Sequence, residues 1–215
     1  MNLLVKYACL RGLQAALVCF AVVTVTIAQP LSGAALGSAL QRGGYVLVMR
    51  HASSPPTPPA PSEAEPDNLQ RERQLDAAGR STAQAMGEAI RKLHIPIGTI
   101  WSSPTYRALE TLRLVGLGSP ATSPELAEGS QGMNADSDVA RLSWLRHAVT
   151  IAPRAGTNTL IVTHTPNILA AFGKEAANIA AGETLVFRSD GNGMPILVAR
   201  IKIGEWAGLE GDTFP

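Results

Sequence analysis

Two short runs of consecutive apolar residues interrupt an otherwise mixed pattern. Tyr45-Val-Leu-Val-Met49 and Thr159-Leu-Ile-Val-Thr163 are rich in strand formers and too short for helices, as expected of strands buried on both faces of a sheet. The first follows Gly43-Gly44 and stops at Arg50-His51; the second stops at His164. From Asp76 to Leu93 the positions Ala83, Met86, Gly87, Ile90 and Leu93 recur at helical spacing, with Asp76 placed to cap the start and Pro96 closing the element. Thr99-Ile-Trp101 reads as a short strand. A second helix, entered through Ser103 as cap and Pro104 in its first turn, runs to about Leu114, and a third spans Asp136 to Ile151. Thr184 to Phe187 and Ile196 to Ile201, separated by Asp190-Gly-Asn-Gly193, predict a hairpin. The proline-crowded stretch Ser53 to Asp67 predicts an irregular surface loop. Strands alternating with helices imply an α/β three-layer sandwich around a mostly parallel central sheet, with the hairpin as an antiparallel edge.

The first 28 residues break that pattern. Lys6 and Arg11 precede an apolar stretch from Leu13 to Ile27 that ends in small residues, the layout of a secretory signal peptide whose removal would leave Gln29 first. The expected organisation is therefore a signal peptide at 1–28 and one domain at 29–215, placed in the bacterial periplasm or secreted. A retained anchor is the alternative, although the apolar stretch is short for a membrane span. Both cysteines, Cys9 and Cys19, fall in the leader, so the mature domain carries no thiol, disulfide or cysteine metal ligand. Such a domain must be held by its core, which a 46% hydrophobic composition supplies. Removing Lys6 and Arg11 takes the formal charge from +1 to −1, a balance that argues against nucleic acid or anionic membrane surfaces as partners.

The chemistry collects where the strands end. Open α/β sheets place their sites at the carboxyl ends of strands, and here those ends carry Arg50, His51 and His164, with Arg107 one helical turn beyond a Ser-Pro turn. Helix N-termini at Ser103-Pro104 and Thr165-Pro166 would aim amides at the same point, which suits an anion. Guanidinium forks match phosphate oxygens, and their charge keeps a nearby histidine neutral and nucleophilic. No carboxylate–histidine set has metal-ligand spacing, so neither metal nor other cofactor is expected.

Four motifs in order carry a family resemblance. Val48-Met-Arg-His-Ala52 resembles the Arg-His-Gly signature of the histidine phosphatase superfamily, the phosphoglycerate mutase-like enzymes, with alanine third. Leu75-Asp-Ala-Ala-Gly79 resembles its Leu-Thr-x-x-Gly segment, Ser102-Ser-Pro-Thr-Tyr-Arg-Ala-Leu-Glu-Thr111 its Ser-Ser-Pro-x-x-Arg-Ala-x-x-Thr motif, and Val162-Thr-His-Thr-Pro-Asn-Ile168 the segment of its second histidine. The chain is also similar to small exported members such as lipopolysaccharide core heptose phosphatase-like proteins.

The resemblance implies that His51 becomes phosphorylated while Arg50, Arg107 and His164 bind the phosphoryl group. It implies a phosphomonoesterase acting on a small phosphorylated substrate such as a sugar phosphate. A phosphohistidine protein phosphatase, a mutase and a catalytically weak phosphate-binding envelope module are the competing readings. Thr165 stands where the acid-phosphatase branch carries its aspartate donor, so the general acid must come from elsewhere. Glu128 is the first candidate, Glu183, also a candidate substrate ligand, the second, and Glu125 the third. Asn167 reads as a turn residue, and Arg71-Glu72-Arg73 as a solvated loop close enough to touch a substrate.

Overall fold

The computed structural model describes residues 31–128, 135–190 and 194–210. The expected signal peptide and three of the four turn residues of the hairpin lie outside them. Helix α1 (Gly33–Arg42) leads into strand β1 (Val46–Arg50), followed by α2 (Ala77–Lys92), β2 (Ile97–Ser102), α3 (Tyr106–Val115) and the two-residue β3 (Ala121–Thr122). Then come α4 (Ala135–Ala148), β4 (Asn158–Thr163), α5 (Thr165–Phe172), β5 (Thr184–Ser189) and β6 (Pro195–Ile201). The strands form one mixed sheet in the order β3-β2-β4-β1-β5-β6. Its first four strands run parallel, and β5 turns antiparallel to β1 and to β6.

Alternation along the central strands divides the core into two layers. Leu47, Met49, Leu160 and Val162 pack with α1, α2, α3 and Trp206 on one face, while Val46, Val48 and Ile161 pack with α4, α5 and Phe187 on the other. This is the expected three-layer sandwich. Among the described residues no helix is long and apolar enough to cross a membrane.

Two glycines set the spacing around α2. Asp76 caps it as expected, accepting from the Gly79 amide at 2.6 Å and from the Ser53 hydroxyl. A Cβ at Gly79 would stand 2.1 Å from the Ser53 carbonyl oxygen, so the motif glycine lets the helix start abut the chain just beyond His51. Farther along, a Cβ at Gly87 would stand 1.9 Å from the Val115 carbonyl at the end of α3. Alanine has the better helix propensity by about 1 kcal/mol, but here the clash with backbone wins. Gly87→Ala is expected to destabilise the fold by about 2 kcal/mol and lower Tm by about 5 °C, measured by thermal melting.

The start of α3 departs from the sequence reading. Thr105, not Ser103, is its N-cap, and its side chain makes no capping bond. The Tyr106 amide is taken instead by Glu72 Oε2 at 3.0 Å, a carboxylate brought in by the loop before α2. That cap leaves Ser103 for other work and takes one of the amides expected to face an anion. At α5 the cap is His164 itself and Thr165 is the first helical residue. Helix α1 is an element the sequence reading leaves unassigned, although its buried Leu36, Ala39 and Leu40 are spaced three and four apart.

Candidate active site

Parallel pairing brings the tips of β1, β2 and β4 together. Arg50 lies opposite Thr163 across the β1–β4 ladder, and the His51 amide donates to the Thr163 carbonyl at 3.0 Å. The Ser103 amide donates to Val162 O at 2.9 Å, which ties the entry of α3 to the same strand end. Arg107, the second residue of α3, projects between the two histidines, 4% exposed against 3% for His51 and 0% for His164. Their ring centroids are 5.2 Å apart.

Because a guanidinium can only donate, it fixes the protons on both rings. Arg107 Nε donates to His51 Nε2 at 3.2 Å, so Nε2 carries a lone pair and the proton sits on Nδ1, which donates to Ala52 O at 2.8 Å. Arg107 Nη2 donates to His164 Nδ1 at 3.0 Å, so the His164 proton sits on Nε2 and goes to Ser103 Oγ at 2.8 Å. Burial, reinforced by the charges of Arg107, Arg50 and Arg73, pushes His51 down to about 4 despite its bond to the Ala52 carbonyl. Burial and Arg107 lower His164 still further. Both rings are therefore neutral at neutral pH.

Arg50 donates through Nη1 to Ile179 O at 3.1 Å, while its buried Nε has no hydrogen-bond partner among the described residues. A buried donor left unmatched at the edge of a cationic site is a place for an acceptor oxygen. Thr111 braces the arrangement: its hydroxyl donates to Arg107 O at 2.8 Å and accepts from the Ala52 amide at 3.1 Å.

The three carboxylate candidates separate clearly. Glu128 lies at the site, accepting from Arg107 Nη2, with Arg73 Nη1 at 3.8 Å. Asn167 holds the approach to it, its side-chain amide donating to Leu126 O at 3.1 Å and Ala127 O at 3.0 Å. The expected turn residue is thus a buried clamp. Glu125 is turned to the Ser123 hydroxyl.

Glu183, expected as a substrate ligand and second acid candidate, turns its carboxylate to Arg200 Nε at 2.7 Å and the Ala180 amide at 2.8 Å. Although burial raises it, those bonds and the charges of Arg200 and Lys202 outweigh burial and hold the carboxyl below the usual range. Only backbone of this segment reaches the site: Glu183 O accepts from the Arg50 amide, and the Gly182 amide donates to His51 O. Arg73 is the residue the sequence underrated, for its charge acts on all four of Arg50, His51, Arg107 and His164. Among the described residues no cluster of three or more histidine, cysteine, aspartate or glutamate side chains could hold a metal ion.

Residues 46–154 match the histidine phosphatase superfamily (branch 1). The chain belongs to that superfamily and is a histidine-type phosphatase. Solved structures of similar fold include the protein histidine phosphatase SixA complexed with tungstate, 18% identical over 74% of this chain and 97% of that one, TM-score 0.51. A phosphoserine phosphatase from Entamoeba histolytica in complex with phosphoserine is 14% identical over the same shares, also at TM-score 0.51. Comparison with curated protein sequences gave no match.

Proposed function

We propose that the protein is a phosphomonoesterase that hydrolyses a small phosphate ester through a phosphohistidine on His51, acting outside the cytoplasm. The observation that carries this reading is the proton arrangement on His51: a neutral ring anchored through Nδ1–H to Ala52 O, with the Nε2 lone pair turned toward the arginines. The Nε2 lone pair attacks phosphorus, the ester P–O bond breaks, and its electron pair stays on the leaving oxygen, which takes a proton from Glu128. Water then attacks the phosphohistidine, Glu128 recovers a proton from it, and the N–P pair returns to His51. Arg50 and Arg107 hold the phosphoryl oxygens, where their positive charge and hydrogen bonds stabilise charge on the equatorial oxygens in both steps, and neutral His164 holds Arg107 in place through Nδ1. Ser103 accepts the Nε2–H of His164 and fixes the tautomer in which Nδ1 accepts from Arg107.

Two substrates separate the acid from the rest of the machinery. An alkyl alkoxide needs a proton to depart, whereas nitrophenolate hardly does. Glu128→Gln is expected to slow alkyl phosphate turnover about a hundredfold while nitrophenyl phosphate turnover falls far less. Equal loss on both esters would remove Glu128 from the acid role, and a wild-type protein inert toward phosphate esters would overturn the phosphatase reading. The leader-like segment at 1–28 supports export, so mass spectrometry of the secreted fraction should find the mature chain beginning near Gln29; a membrane-retained form starting at Met1 would contradict it.

A further inference from the structure

Resting on that reading, we propose that Arg73 recognises a negative charge on the leaving group, so that the natural substrate is a phosphate ester whose alcohol portion carries a carboxylate or a second phosphate. Arg73 does not come from a strand end. It stands in the loop between His51 and α2, and its Nε donates to Pro55 O at 2.7 Å, which fixes the direction of the fork. The terminal nitrogens make no hydrogen bond among the described residues, and Nη1 stops 3.8 Å short of Glu128 Oε2. The Arg73 side chain is 23% exposed, that of Arg107 5%, so Arg73 stands at the mouth and Arg107 at the floor.

The position of Glu128 gives Arg73 its side of the substrate. An acid that protonates the leaving oxygen must sit beside it, and Arg73 lies just beyond that acid, so it faces the leaving alcohol rather than the transferred phosphoryl group. Its ion-pair contact among the described residues is the long one to Glu128 at 3.8 Å. Glu72 is engaged as the cap of α3, and Glu128 is bonded to Arg107. Once Glu128 carries the proton it must deliver, the phosphoryl group is met by Arg50 and Arg107, and the terminal nitrogens of Arg73 stand beside the leaving alcohol with no hydrogen-bond acceptor among the described residues. An anionic substituent on the leaving alcohol supplies an acceptor for the unused fork.

O-Phosphoserine and O-phosphoethanolamine differ by one carboxylate on otherwise the same leaving alcohol, which makes them the discriminating pair. The wild-type protein should favour phosphoserine in kcat/KM by about tenfold or more, chiefly through KM, as expected for one charge-assisted hydrogen bond. Arg73→Gln should bring the ratio toward one, and Arg73→Lys, which keeps the charge without the fork, should retain part of it. Equal kcat/KM for the two esters in the wild type overturns the proposal. So does turnover of nitrophenyl phosphate with neither member of the pair accepted, or an Arg73→Gln protein that loses both esters in equal proportion. A wild-type protein that hydrolyses none of the three esters would instead defeat the phosphatase reading itself. Should Arg73→Gln fail to fold, as judged by circular dichroism, the ratio measured on Arg73→Lys decides.

Discussion

Arg107→Ala is expected to lower kcat/KM by about a thousandfold or more, because one side chain performs three tasks at once. Its Nε and Nη2 hold the acceptor nitrogens of His51 and His164, its Nη2 also bonds Glu128, and its charge helps keep His51 neutral. Truncation leaves two buried imidazole nitrogens without a donor and removes a fork from the phosphoryl oxygens. Arg107→Lys should recover little, since a single ammonium cannot reproduce a planar bridge between two rings 5.2 Å apart. A histidine titration by NMR provides a second reading: with the Arg107 charge gone, His51 should titrate above its present value of about 4. A variant retaining wild-type kcat/KM would show that the phosphoryl group binds elsewhere.

His51→Ala is expected to be more severe, reducing kcat by about ten-thousandfold or more, because it removes the atom that forms the covalent bond while leaving the binding residues in place. Fold should survive the change. The contacts that hold the β1 tip there are made by backbone, from the His51 amide to Thr163 O and from the Gly182 amide to His51 O, and alanine keeps both. Binding of an oxyanion such as vanadate, followed as a rise in Tm, should therefore weaken much less than turnover. A fall in kcat smaller than about tenfold would leave the ring as a structural neighbour of the site.

How much of this was legible in the sequence follows from how local each signal is. Arg50, His51 and His164 end unbroken apolar strands, and Arg107 sits at a fixed offset from a Ser-Pro turn, so chain order alone placed them together. The hairpin of β5 and β6 and the cap at Asp76 were equally local and fell where expected. Residues acting through space across long sequence separations were hidden. Glu72 caps a helix that begins 34 positions later, and Asn167 clamps backbone 40 and 41 positions earlier. Glu183 looked like a site carboxylate because it precedes a strand; its actual partner, Arg200, lies on the neighbouring antiparallel strand, a pairing that only the hairpin register reveals. Ser103 suits a helix cap by residue type, but its hydroxyl accepts from His164 Nε2 instead. Leu126-Ala-Glu128 resembles the mutase branch's Leu-x-Glu and lies between Arg107 and His164 in chain order, and the fold does bring the Glu128 carboxylate to Arg107.

Trapping the covalent intermediate tests the central claim most directly. Wild-type protein is mixed briefly with a labelled phosphate ester and quenched in alkali, where phosphohistidine survives, and the modified residue is located by mass spectrometry of peptides. The account predicts one acid-labile phosphoryl group per chain, carried by Nε2 of His51 and absent from His51→Ala. The same label on another residue, or on the His51→Ala protein, would contradict it.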